Sequence, residues 1–232
     1  MFIVVKKKNL IVVFVALVLA LALTGAGIAL SVTSAVALQK KYTVVIDAGH
    51  GGADGGVTGK NGTREADLNL EIARLLEKKL SDGDFRTVMT RKDENGLYGD
   101  SLDNFKARDF AERKRIIREA NPDAVISIHA NKFPQSPSRR GIQVFYNPTS
   151  EESKKLAHDL QDRLNELNEK YVGKTFSSLK GEYYMLNCTE KPSVIVECGF
   201  LSNEEDEKLL SSPEYREELI VAIALGLADY YK

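Results

Sequence analysis

VVIDAGH, residues 44–50, is a Val/Ile run that breaks at Asp47 and ends on a glycine-histidine pair. AVISIH, residues 124–129, and SVIVE, residues 193–197, repeat the form, one ending on His129 and the other on Glu197. A continuous apolar run of this kind fits a parallel strand buried on both faces. Open α/β sheets place their sites just beyond the carboxyl ends of such strands, so three sequence-distant groups are expected on one rim. The chain has only 3 histidines, and two of them stand at these strand ends. Core packing does not account for that bias.

Outward from these runs, strand-like and helix-like stretches alternate, the order of an α/β layer fold in a single domain. The first strand covers 43–47, and the glycine-rich GHGGADGG after it holds too many breakers for regular structure, so it reads as a loop shaped around something. A helix is predicted from about 64 to 80, with Leu68, Ile72, Leu75, Leu76 and Leu80 at helical spacing and Thr63 as its N-cap. A short strand over 86–90 and an irregular polar segment over 92–103 lead to a helix over 105–120, stopped by Asn121-Pro122. The basic run RDFAERKRIIREA in that helix is interleaved with acids and reads as a solvated face. After the strand 124–129 come a long loop, a strand over 141–146 and a helix from 151 to about 171. Leu156, Leu160, Leu164 and Leu167 share one face of that helix, with His158 on the opposite, solvated side. Strands over 182–186 and 193–197 and a helix over 213–231 complete the order.

The 232 residues begin with Lys6, Lys7 and Lys8, an uncharged apolar stretch over 10–30, and then SVTSAVALQKK. Ala35 and Ala37 fit an A-x-A cleavage site, while the apolar stretch is also long enough to span a bilayer. Residues 1–37 are therefore expected to be a signal peptide or a signal anchor, and 38–232 an extracytoplasmic catalytic domain, attached to the membrane through its N-terminal segment if uncleaved. No Cys at the end of the leader supports a lipoprotein anchor. The leader carries three basic residues and no acid, so 38–232 stand at −4 against −1 for the whole chain, and nucleic-acid binding is not expected. Cys188 and Cys198 are too few for a disulfide framework and lack CxxC spacing; they are expected to be unpaired.

Two histidines and one carboxylate are a common make-up of a catalytic Zn2+ site, because three protein ligands leave the fourth tetrahedral position open to water. His50 and His129 supply the imidazoles. Glu65, in the first helical turn after the glycine loop, is the natural third ligand, with Asp54 and Asp67 as rivals. Glu197, a carboxylate at the end of a buried strand, is placed to take a proton from water as general base and return it as general acid. Asp47 is expected either to orient His50 or to accept from the loop's own amides. GHGGADGG has neither P-loop nor dinucleotide spacing, and no serine stands in a G-x-S-x-G elbow.

VVIDAGHGGADGG at 44–56, READLNLEIA at 64–73, AVISIHAN at 124–131 and KPSVIVECGFLSNEED at 191–206 resemble, in order, the four motifs of the zinc-dependent N-acetylmuramoyl-L-alanine amidases of the amidase-3 type. The likeness implies a mixed, mainly parallel six-stranded sheet with helices on both faces, zinc on His50, Glu65 and His129, and a catalytic Glu197. It implies a substrate, the amide joining the lactyl group of N-acetylmuramic acid to L-alanine in peptidoglycan, and a groove-shaping role for Asn131. Cys198 departs from the apolar residue often found there, and no wall-binding repeats fit in this length, so an activating or localising protein partner, or the leader, is expected to place the domain. The stretch YYMLNCTEKPSVIVECGFLSN, 183–203, resembles the germination-specific members that prepare muramic-δ-lactam in spore cortex. The competing readings are a non-catalytic peptidoglycan-binding scaffold with a structural zinc and a zinc hydrolase of a different bond. A closed four-ligand site or a missing base would mark the first, and the products formed would separate the second.

Overall fold

The computed structural model describes residues 17–21 and 40–232, and the expected leader and its cleavage site lie almost wholly outside the described residues. Residues 17–21 form a helical turn. Among the described residues no helix is long and apolar enough to cross a membrane. Residues 41–232 form one compact unit.

Its elements are β1 (Tyr42–Ala48), α1 (Glu65–Ser81), β2 (Phe85–Met89), α2 (Phe105–Ala120), β3 (Ala124–Asn131), β4 (Gln143–Tyr146), α3 (Glu151–Val172), β5 (Leu179–Lys180), a 3-10 turn (Tyr184–Asn187), β6 (Ser193–Phe200), α4 (Glu204–Ser211) and α5 (Pro213–Tyr230). The six strands lie in the order β2-β1-β3-β6-β4-β5. β2, β1, β3 and β6 are mutually parallel, and β4 runs antiparallel to β6 with β5 parallel to β4. The expected mixed, mainly parallel α/β sheet is therefore the one found.

Successive side chains of a strand point to opposite faces, which splits the core in two. Val44, Ile46, Ile126, Ile128, Val194 and Val196 face the larger core with the apolar sides of α1, α3 and α5. Val45, Val125, Ile195 and Phe145 face a smaller one beneath α2 and the 3-10 turn, with Ile117, Met185 and Leu186. The two longest apolar helices meet closely. A side chain at Gly226 of α5 would lie 2.7 Å from Leu160 Cα of α3, so only glycine permits this approach.

Four local expectations are corrected. The strand over 182–186 is instead the 3-10 turn, because Met185 and Leu186 are both buried side by side while Tyr183 and Tyr184 are both exposed, a pattern no alternating strand can give. Thr63 does not cap α1. The helix begins at Glu65 after Arg64, and the first amides are taken by loop carbonyls, Glu65 N by Val57 O at 2.9 Å and Ala66 N by Gly55 O at 3.2 Å. The unanticipated α4 starts at Asn203, whose side chain accepts from Glu205 N and Asp206 N, each at 3.1 Å. The basic face of α2 is not wholly solvated: Arg113 is buried, turned toward the sheet by its place one turn from Ile117. His158 is exposed, as expected, and both cysteines are free and buried.

Candidate active site

β1, β3 and β6 carry the three decisive residues to the same rim because they are parallel neighbours. His129 and Glu197 are directly paired across β3 and β6, and a bulge follows between His129 and Asn131. His50 lies two residues beyond β1 and takes the left-handed conformation, φ 62°, which a residue with a Cβ adopts only under constraint. That conformation turns its ring back over the rim. Gly49 is required beside it, since a Cβ there would fall 2.3–2.7 Å from ring atoms of His129.

Glu65 opens α1 and projects toward the two imidazoles. Its Oε1 lies 3.1 Å from His50 Nε2 and 3.0 Å from His129 Nδ1, and one donor atom from each of the three residues falls within 4.8 Å of the others. Two imidazole nitrogens and a carboxylate oxygen so gathered form a donor set suited to one divalent transition cation. The other carboxylate oxygen accepts from Val57 N at 2.9 Å, which fixes the plane of the group. Gly56 makes room for it: a Cβ there would stand 2.4 Å from Glu65 Oε2.

The rivals for the third position lie elsewhere. Asp54, not Asp47, lies beside the His50 ring, its Oδ2 3.0 Å from Nδ1 as an ion pair without hydrogen-bond geometry. Asp67 is exposed and pairs with Arg64. Asp47 meets neither of its expected partners. It accepts from Thr90 Oγ1 at 2.7 Å, Ser127 Oγ at 2.5 Å and Arg113 Nη1 at 2.6 Å. Asn131 stands at the end of β3, its Oδ1 accepting from Lys132 N at 2.8 Å.

Charge at the rim is shaped by burial and by these contacts. Burial works against ionising Asp47, but the Arg113 guanidinium and two hydroxyls outweigh it and pull its pKa down to about 2. Burial likewise opposes the Glu65 carboxylate, and the two imidazoles override it, holding its pKa well below the usual range. The His50 ring resists charging through burial, yet Glu65 and Asp54 raise its pKa. Glu197 goes the other way. Burial, which His129 offsets only in part and Glu65 reinforces, pushes its pKa up to about 7, and its Oε2 is a buried atom without a hydrogen-bond partner. An acid poised near neutrality beside an open donor set is suited to proton transfer.

A small cleft of about 40 Å³ beside His50 and His129 is walled by Phe105, Phe110 and Met185, with Lys106 at its edge. Exposed Phe110 meets exposed Tyr184 in a tilted ring pair, centroids 5.0 Å apart, and the pKa of Tyr183 rises through burial and then through the charge of Glu197. A larger cavity, about 780 Å³, lies at the other end of the sheet beside Asn121, Asn147 and Lys191, away from the His50–Glu65–His129 set. Of the convergent donors, His50 and His129 line the smaller cleft.

Sequence reasoning missed Arg91 and Arg113, whose carbonyl and carboxylate contacts underlie the site. The signal for Arg113 was present: Asp109, Arg113 and Ile117 fall on one stripe of α2, so an ion pair one turn apart shares the face that must bury Ile117. Asp54 was named, but as a ligand rather than as a partner of His50.

The Amidase_3 family, described as N-acetylmuramoyl-L-alanine amidase, matches residues 44–229. The chain is similar to the germination-specific N-acetylmuramoyl-L-alanine amidase of Bacillus subtilis (strain 168), 33% identical over 191 residues, covering 81% of this chain and 79% of that protein. Among solved structures it is similar to the CwlD amidase from Clostridioides difficile in complex with the GerS lipoprotein, with TM-score 0.76 and 34% identity over 82% of this chain and 98% of that one. It is also similar to the N-acetylmuramoyl-L-alanine amidase from Clostridium difficile 630, with TM-score 0.71 and 29% identity over 83% of this chain and 97% of that one. With four motifs in order, a common fold and a family match over nearly all of 41–232, the chain belongs to the Amidase_3 family of N-acetylmuramoyl-L-alanine amidases.

Proposed function

We propose that this chain is a zinc-dependent enzyme that hydrolyses the amide between the lactyl group of N-acetylmuramic acid and L-alanine, outside the cytoplasm. The observation that carries the reading is the convergence of His50, Glu65 and His129 within 4.8 Å, with Glu197 on the adjoining strand. His50, Glu65 and His129 would hold the ion, and zinc, when bound, supplies Lewis-acid polarisation and lowers the pKa of water at the site. Glu197 takes the proton from the attacking water while the water oxygen bonds to the amide carbon. The same carboxyl then passes that proton to the alanine nitrogen as the C–N bond breaks, leaving a lactyl carboxylate and a free amine. Asp54, paired with His50 at 3.0 Å, supports the His50 ring electrostatically. Phe105, Phe110 and Tyr184 offer flat apolar faces to a sugar, and Lys106 a cation to a stem-peptide carboxylate. Asn131, at the far side of His129, shapes the groove.

Residues 1–37 carry the domain to the outer side of the membrane, as signal peptide or anchor. The germination-specific and CwlD relatives support a spore-cortex substrate, and the GerS complex supports a protein partner that activates or localises the domain. Incubated with peptidoglycan and zinc, the purified full-length chain is expected to release stem peptides with free L-alanine amino termini and to leave lactyl-bearing glycan, both read by mass spectrometry. Glu197→Gln is expected to lower turnover at least about a hundredfold while retaining the metal. Products cut at another bond, or normal turnover by that variant, overturn the reading. Cortex muropeptides from a strain lacking the chain test the spore role, since muramic-δ-lactam is expected to vanish from them.

A further inference from the structure

Two buried arginines converge on the backbone of the His50 loop. Arg91 is 2% exposed and Arg113 is 1% exposed. Arg91 donates from Nε to Ala48 O at 2.9 Å and from Nη2 to Gly49 O at 3.0 Å, and Arg113 donates from Nη1 to Ala48 O at 2.7 Å and from Nη2 to His50 O at 2.6 Å. Three consecutive carbonyls, 48 to 50, therefore all end on guanidinium. These are the peptide units that set the left-handed turn at His50.

The same two side chains reach the other elements that carry the donor set. Arg91 Nη2 also donates to Ala66 O at 2.7 Å, in the first turn of α1 next to Glu65. Arg113 Nη1 binds Asp47 Oδ1, and Asp47 in turn accepts from Ser127 on β3, two residues before His129. Arg113 is itself braced by Asp109 Oδ2 at 2.6 Å from Nε. A rigid five-donor fork can satisfy several acceptors at fixed angles, which one ammonium cannot.

We propose that Arg91 and Arg113 are positioning residues: a paired guanidinium clamp that holds the His50 backbone in its strained conformation, ties it to the elements bearing Glu65 and His129, and thereby sets the metal affinity of the site. The proposal rests on the zinc reading above. Neither arginine touches the ion or the substrate. Their effect is to keep the three donors gathered before any ion arrives, so that little of the binding free energy is spent on ordering the loop.

The test uses the full-length chain with Arg113→Lys and Arg91→Lys, each keeping its positive charge, and Leu164→Ala as a control that weakens the core from α3, a helix that carries none of the three donors. Zinc affinity is measured by chelator competition and hydrogen exchange of residues 49–56 is followed in metal-free protein. Each lysine variant is expected to bind zinc about tenfold or more weakly and to exchange that loop faster, with the sheet protected as in the parent. Leu164→Ala is expected to lower the melting temperature and leave zinc affinity within about twofold of the parent. Arg91 contacts only carbonyls and Arg113 carries the buried ion pair, so Arg91→Lys gives the answer if Arg113→Lys does not fold. Lysine variants that bind zinc as tightly as the parent, or a control that loses as much affinity as they do, overturn the clamp. A parent chain that binds no zinc sinks the metal reading instead, and the exchange of 49–56 then decides the clamp by itself.

Discussion

Glu197 shows how one side chain can be costly to the fold and useful to the site. A buried carboxylate oxygen without a partner is left uncompensated, and the group responds by holding its proton up to about pH 7 instead of its ordinary 4.5. A carboxyl whose folded pKa lies above its unfolded one stabilises the fold fully below the unfolded value and loses that contribution as pH rises through the folded value. For Glu197 the window runs from about 4.5 to about 7. Glu197→Gln stays neutral throughout, so in metal-free protein its stability relative to the parent is expected to rise across that window by roughly 3 kcal/mol and then level off. Chemical denaturation at pH 5, 6, 7 and 8 measures it, and a constant difference refutes the assignment. Asp47 and Glu65 have depressed values and act with the opposite sign, but they are common to both proteins and cancel in the comparison.

Among the elements, α4 has an influence out of proportion to its eight residues. Glu207 accepts from the amides of Asn61 and Thr63, holding the segment that leads into α1, and Asp206 accepts from Gly141 N and Phe200 N where β4 and β6 begin and end. Asn203→Ala removes the side-chain cap that starts this helix and is expected to cost about 1 kcal/mol. Equilibrium unfolding reads the loss, and an unchanged midpoint shows that Asn203 does not set the helix start. α4 was legible in principle, since Asn203 followed by three acids is a helix-start pattern. The apolar runs made β1, β3 and β6 plain because burial on both faces leaves a strong signal, and the resemblance added the sheet's mixed order. What the sequence did not disclose depends on distant partners. The first amides of α1 are met by Val57 O and Gly55 O, and the place of Asp47 is set by Thr90, Ser127 and Arg113. His50, Glu65, His129 and Glu197 could be singled out because each stands where an apolar run ends or a helix begins in the sequence, whereas Arg91 and Arg113 act through carbonyls that carry no residue-specific mark.

At the scale of the molecule, α5 completes the larger core. Leu219, Ile220, Ile223 and Leu227 are essentially inaccessible, and at about 1.5–3 kcal/mol each their burial amounts to roughly 6–12 kcal/mol. That is the size of the whole net stability of an ordinary domain. A chain ending at Ser212 is therefore expected to lack a cooperative thermal transition and to be digested rapidly by protease, and a sharp transition in that fragment refutes the estimate. The contact of Gly226 with the Leu160 backbone ties the last helix to the middle of the polypeptide. Closure is thus deferred until α5 has been made. For a protein exported as proposed, the leading portion then stays slack enough to be threaded through a translocation channel, and the finished globule assembles only on the far side.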